Sequence, residues 1–328
     1  MKRFLFAIAC FFPLIGCQTT QVKLTGPITE ENARFGEFVI PANDLDGLKS
    51  DGKNINLKLT AGFPDGNGPF PVVVILHGSG NMKDRDLALG KRLEAQGIAW
   101  LGVYTYDSRG LASKPYKVRL AKANIVDQVS DAYAALNFAK THPLLDHQRA
   151  ALTGFSLGGL SAVLAATSWA ERFGETDFNY FLNQYGPCIL FSDEVKSDVK
   201  IDHMWGRFDA QTPEELCKQM SDHLVSRGAV SEVSYHESAA HGWFSSRESQ
   251  SPYSFMRCKV AIDGDTAKVI STNPSAKTNL AGVTVKRPSD VELIKLTYGS
   301  CYEATPYINR PDKLAEDVAV RKLAGALK

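Results

Sequence analysis

The sequence predicts an α/β protein built on a doubly wound, mostly parallel sheet, and three observations carry that expectation. Continuous apolar runs recur at residues 72–76, 98–103 and 150–153, the mark of strands covered on both faces. Helix-like segments with apolar residues three and four apart separate them, so strand and helix alternate. The 328 residues, 44% hydrophobic and 22% charged, suffice for a full core, and no linker-like stretch divides the middle of the chain. One domain with decorations is expected.

Along the chain, residues 35–40 and 55–59 alternate apolar and polar side chains, as half-buried antiparallel strands at a sheet edge do. The buried strand at 72–76 follows, then a helix at 86–96 stopped by Gly97, then the strand at 98–103, giving a βαβ unit. A longer helix from about residue 122 to 141 rests on Ile125, Val129, Ala132, Leu136 and Ala139, and Pro143 ends it. The strand at 150–153 runs into Gly154-Phe155-Ser156-Leu157-Gly158-Gly159 and a helix of small residues at 160–166. Further strands fall at 181–185, 199–205 and 230–235, with a helix at 213–226 between the last two. Residues from 249 to about 310 break into polar, Ser/Thr/Asn-rich sequence with a hairpin, 259–262 and 266–270 around Asp263-Gly264, which reads as an insertion. An amphipathic helix at 314–327 closes the chain.

The G-x-S-x-G string at 154–158 lies between a buried strand and a helix, the context of a nucleophile elbow. Flanking glycines permit a sharp turn that exposes Ser156 Oγ, and the helix start leaves the Leu157 N–H unpaired and available to an oxyanion. A serine hydroxyl needs a base, and His241, in a loop of small residues after the last strand, is the candidate; His236 sits at the strand end and reads as structural or solvent-exposed. The acid that orients it belongs between the two in chain order. Asp209, after the 199–205 strand and before Pro213, fits better than Asp202 within a strand or Asp222 within a helix. His77-Gly78-Ser79-Gly80 closes the first buried strand, where Ser79, or alternatively Gly80, would give the second oxyanion N–H. No histidine spacing suits a metal, and no metal or organic cofactor is expected.

The N-terminus stands apart. Lys2 and Arg3 precede an apolar run from residue 4 to 15, too short for an ordinary membrane span, and Leu14-Ile15-Gly16-Cys17 resembles the bacterial lipobox. The resemblance implies a signal peptide at 1–16, a diacylated Cys17, a tether at 17–35 and a catalytic domain at 36–328. Gln18 in place of Asp favours the outer membrane, facing the periplasm. Losing Lys2 and Arg3 takes the 37 basic residues to 35 against 36 acidic, which argues against nucleic acid or an anionic surface as the main partner. Cys188, Cys217, Cys258 and Cys301 remain for an oxidising compartment; three pairings are open, and proximity favours Cys188 with Cys217 and Cys258 with Cys301. The second bridge would make the C-terminal insertion disulfide-linked.

Together these motifs resemble the dienelactone hydrolase-like branch of the α/β-hydrolases, over residues 71–243 and the last helix. The match rests on His77-Gly78-Ser79-Gly80, Tyr106-Asp107-Ser108-Arg109-Gly110, residues 146–159, Gly206-Arg207-Phe208-Asp209 with Thr212-Pro213, and Ala240-His241-Gly242. Cys188 and Cys217 also stand where exported relatives carry a pair. Dienelactone hydrolases proper use a cysteine nucleophile, whereas this elbow holds Ser156, so the resemblance implies a general hydrolase of small-molecule esters. A lactone hydrolase, a peptidase of the prolyl oligopeptidase kind without its propeller, and a non-catalytic binding lipoprotein are the alternatives. Nothing in the sequence specifies an oligomeric state.

Overall fold

A computed structural model describes residues 28–29, 33–34, 36–44, 53–174, 178–191, 194–196, 199–251, 255–256, 259–262, 266–271, 282, 284–286, 302–303 and 307–328. Cys17, the signal segment, most of the tether, Cys258, Cys301 and the Asp263-Gly264 turn lie outside them. The strands are β1 (Glu37–Asp44), β2 (Lys53–Gly62), β3 (Phe70–Leu76), β4 (Ala99–Val103), β5 (Leu145–Phe155), β6 (Tyr180–Gln184), β7 (Leu190–Phe191), β8 (Lys200–Gly206) and β9 (Val230–His236). The helices that matter here are α1 (Asp84–Glu94), α2 (Thr105–Ser108), α3 (Tyr116–Lys122), α4 (Ile125–Thr141), α5 (Leu157–Ala165), α6 (Glu214–Ser226) and α7 (Lys313–Ala326).

Eight strands form one sheet in the order β1-β2-β4-β3-β5-β6-β8-β9. Alternate residues of β3 explain its unbroken apolar run: Val72, Val74 and Leu76 enter the core under α4 and α5, while Val73 and Ile75 enter the core under α1 and α7. The chain steps from β3 outward to β4, then crosses back to β5 on the other side of β3. That reversal opens a crevice at the carboxyl ends of β3 and β5, where ligands of open α/β sheets bind. The register sets Leu76 opposite Gly154, so the His77 loop and Ser156 leave the sheet side by side.

The fold departs from the expected class in two respects. The sheet is mixed, because β1 with β2 and β2 with β4 pair antiparallel, and only the remaining five pairings are parallel. The link between β1 and β2 is too short for the crossover of a dozen or more residues that a parallel pair needs. The bridge among the described residues, Cys188–Cys217 with Cα atoms 4.8 Å apart, lies in mid-domain and not in a C-terminal insertion. It ties the segment after β6 to the first turn of α6, and closing its 29-residue separation restricts the unfolded chain by about 3.6 kcal/mol.

The helix expected from about residue 122 to 141 is α4, which begins three residues later at Ile125, and α3 before it was not expected. Asn124 is extended and caps α4 through the Val126 N–H at 2.9 Å, while Asp127 returns a bond to the Asn124 N–H at 2.9 Å. Within the expected insertion, β10 (Ser249–Ser251) and β13 (Tyr307–Asn309) pair with each other, and β11 (Lys259–Ile262) pairs antiparallel with β12 (Thr266–Ser271). β11 also runs parallel to β7. No helix among the described residues is long and apolar enough to cross a membrane.

Candidate active site

β5 ends at Phe155 and α5 begins at Leu157, so the whole reversal falls on Ser156, at φ 54° and ψ −113°. Non-glycine residues rarely adopt this conformation, which costs on the order of 1–3 kcal/mol. The flanking glycines serve closeness more than rotation. A Cβ on Gly154 would stand 2.2 Å from the Gly158 backbone, and one on Gly158 would stand 2.6 Å from the Leu76 carbonyl. The Ser156 N–H donates to the Gln184 carbonyl at 2.9 Å, fixing the turn to β6.

The structure brings the three candidate residues together from three different strand ends. His241 Nδ1 lies 2.7 Å from Asp209 Oδ2, and His241 Nε2 lies 3.0 Å from Ser156 Oγ. With the proton on Nδ1 donated to the carboxylate, Nε2 accepts from the serine hydroxyl. Asp209 and His241 are buried, so this chain of bonds is sheltered from water. The other Asp209 oxygen accepts from the Gln211 N–H at 2.9 Å, which holds the carboxylate plane. The rejected candidates do other work: Asp202 binds Tyr180 at 2.7 Å and Lys322 at 2.9 Å, Asp222 pairs with Lys218 on the exposed face of α6, and His236 is buried at the end of β9.

Sequence patterns gave no sign of the residues that enclose the histidine. Tyr185 and Tyr307 meet the His241 ring edge to face, each with centroids 4.7 Å apart. Tyr185 follows β6 at φ 42°, and burial pushes its hydroxyl well above the ordinary tyrosine range. Tyr307 arrives from the far end of the insertion, whose exit clamps the loop: the Arg310 N–H donates to the His241 carbonyl at 3.1 Å and the Asp312 N–H to the Trp243 carbonyl at 3.1 Å. The Ser79, Gly80 and Leu157 N–H groups have no acceptor among the described residues.

A family model for the dienelactone hydrolases matches residues 58–277, more than half of the chain and every residue of the Asp209–His241–Ser156 relay. The chain belongs to the dienelactone hydrolase family. Membership makes it a hydrolase. Among solved structures, a Klebsiella pneumoniae protein assigned to the dienelactone hydrolases is similar at 17% identity and TM-score 0.49, over 63% of this chain and 88% of that one. Thermogutta terrifontis esterase 2 is similar at 18% identity and TM-score 0.48 in its apo form, over 66% of this chain and 89% of that one. The same esterase phosphonylated by cyclosarin is similar at 18% identity and TM-score 0.46, over 58% and 81%. No curated protein matches this chain.

Burial also gives the family's fold in this chain an acid-sensitive side. His77, His142 and His203 are buried, and desolvation lowers each imidazole from 6.5 to about 4. The unfolded chain takes up protons at these sites near pH 6.5 and the folded chain only near pH 4, so stability falls as pH drops through that window. Asp86 and Glu316 oppose them, since burial raises both carboxyls, Asp86 from 3.8 to about 6, and favours the folded state at acid pH, while His236, also lowered by burial, adds to the histidines. The urea midpoint is therefore expected to be lower at pH 5 than at pH 7.5. Equal midpoints, or a higher one at pH 5, would contradict these assignments.

Proposed function

We propose that the chain is an exported serine hydrolase that cleaves a small-molecule carboxylic ester through an acyl-enzyme on Ser156. The observation that carries the reading is the unbroken relay of 2.7 and 3.0 Å contacts from Asp209 through His241 to Ser156. Ser156 Oγ attacks the ester carbonyl as His241 Nε2 takes its proton. The tetrahedral oxyanion is received by the Leu157 and Ser79 N–H groups, which are fixed in advance and need not reorganise. Collapse breaks the bond to the alcohol oxygen, which leaves with the proton from His241. Water then attacks the acyl-enzyme, again with His241 as base, and carboxylate and free serine return. An internal ester, a lactone, would follow the same steps without losing its alcohol portion.

The chemistry would take place at a membrane surface. In this reading residues 1–16 are removed, Cys17 carries the lipid, 17–35 form the tether, and 36–328 form the hydrolase domain at the outer membrane facing the periplasm. The support is the lipobox-like Leu14-Ile15-Gly16-Cys17 after a short basic and apolar segment. Acyl chains contribute about 0.8 kcal/mol per buried methylene.

Ser156→Ala is expected to abolish turnover of a chromogenic ester in a protein that still unfolds cooperatively. Asp209→Asn, by favouring the wrong imidazole tautomer, is expected to lower kcat by up to about four orders of magnitude. Full activity in Ser156→Ala would sink the nucleophile assignment, and normal rates in Asp209→Asn would move the acid elsewhere. For the anchor, the full chain should fractionate with membranes and be released by detergent but not by high salt, because its near-zero mature charge gives it no electrostatic grip. Soluble protein with an unmodified Cys17 by mass spectrometry would remove the lipoprotein claim and leave the hydrolase claim intact.

A further inference from the structure

The loop from His77 to Gly80 is held from behind, carbonyl by carbonyl, and the residue that holds the last one lies outside every motif. Arg119, in α3, donates from Nε and Nη2 to the Ser79 carbonyl at 3.2 and 2.9 Å. Its Nη1 donates to the Lys114 and Ala112 carbonyls at 2.8 and 3.4 Å, which fixes the guanidinium in turn. The group lies over the Tyr106 ring at 5.5 Å, and Tyr106 packs on His77 with centroids 4.8 Å apart. One step back, the Gly78 carbonyl accepts from His77 Nδ1 at 2.7 Å and from the Asn81 N–H at 3.1 Å. The His77 carbonyl accepts from Gln128 Nε2 at 2.9 Å, and Gln128 Oε1 accepts from Ser161 Oγ at 2.7 Å.

Across a trans peptide the N–H points opposite to the carbonyl, and the peptides of this loop are trans. Holding the Gly78 carbonyl therefore sets the direction of the Ser79 N–H, and holding the Ser79 carbonyl turns the Gly80 N–H away from Arg119. Both N–H groups lack an acceptor among the described residues. The loop lies against the elbow, since a Cβ on Gly78 would stand 3.4 Å from Ser156 Cβ. A guanidinium that spends two charge-assisted donors on one carbonyl locks that peptide plane more firmly than a neutral donor could.

Building on the ester-hydrolase reading, we propose that Arg119 is a positioning residue for the oxyanion hole: by clamping the Ser79 carbonyl it aims the Ser79–Gly80 peptide so that the Gly80 N–H joins the Ser79 and Leu157 N–H groups on the acyl oxygen. Arg119 touches neither substrate nor reacting atoms. Its effect belongs to the transition state, where the oxygen carries charge, and so to kcat more than to KM.

The test compares an oxygen ester with its thionoester, in which sulfur replaces the carbonyl oxygen and accepts hydrogen bonds weakly. An aligned hole favours the oxygen ester, and a misaligned one loses that preference. Arg119→Gln is expected to lower kcat for the oxygen ester about 10- to 100-fold with KM within about twofold, and to lower the oxygen-to-thiono rate ratio by a similar factor. Arg119→Lys, a point charge in place of a planar fork, should fall between wild type and Arg119→Gln, and its ratio decides the matter if the glutamine variant does not fold. A lowered kcat with an unchanged ratio would overturn the proposal, as would a raised KM with kcat intact. Turnover retained in Ser156→Ala would instead overturn the ester-hydrolase reading beneath it.

Discussion

Gly154 and Gly158 let β5 and α5 meet backbone to backbone, and the site is built outward from that contact. With no room for a side chain at either position, α5 starts almost on top of the strand end. Ser156 alone must turn the chain, hence its positive φ. The strain is offset on both sides. The Ser156 N–H is bonded to β6, the Ser156 carbonyl accepts the Leu160 N–H at 3.1 Å, and the small-residue helix is packed in the larger core. The same tight entry leaves the Leu157 N–H without an acceptor among the described residues, at the start of a helix, where partial positive charge collects. A methyl group at Gly154 would therefore disturb nucleophile, amide and helix together.

Histidine and acid reach the serine because parallel strands end on one side of a sheet. β8 and β9 are neighbours, and their exit loops are bonded to each other: the Arg207 N–H donates to the His236 carbonyl and the Phe208 N–H to the Ala239 carbonyl, each at 3.0 Å. Gly206 is needed there, since a Cβ would stand 2.5 Å from the Ala239 carbonyl. The relay distances are thus set by strand adjacency, and the histidine ring is then seated between Tyr185 and Tyr307. Asn309 bridges to His241, so the end of the 249–310 segment is tied to the chemistry and not merely appended to it. That gives the segment a structural part in the hydrolase.

Much of this was legible in the sequence because the relevant signals are local. The apolar runs marked the central strands, and the serine, acid and histidine each lay in a short motif just after a strand. The elbow glycines were recognised, although their reason is close packing and not turn flexibility. What escaped was long-range or decided by a single cap. Asn124 caps α4 and starts it at Ile125 and not near residue 122, because periodicity does not register a cap. The antiparallel edge, by contrast, was legible in the alternation at residues 35–40 and 55–59; that it makes the whole sheet mixed, through the pairing of β2 with β4, was not. Cys188 and Cys217 were paired correctly, but the expected class put a disulfide in the C-terminal insertion, whereas this bridge lies in mid-domain. Tyr185, Tyr307 and Arg119 act through contacts with residues far along the chain, and no pattern within a window shows them.

The measurement that bears most directly on the account is peptide mapping after inactivation by a chromogenic phosphonate ester. Phosphonylation should stop at one group per chain, fall on the peptide that contains Ser156, and proceed in parallel with loss of ester turnover. An adduct confined to another residue, or complete labelling with undiminished turnover, would contradict it.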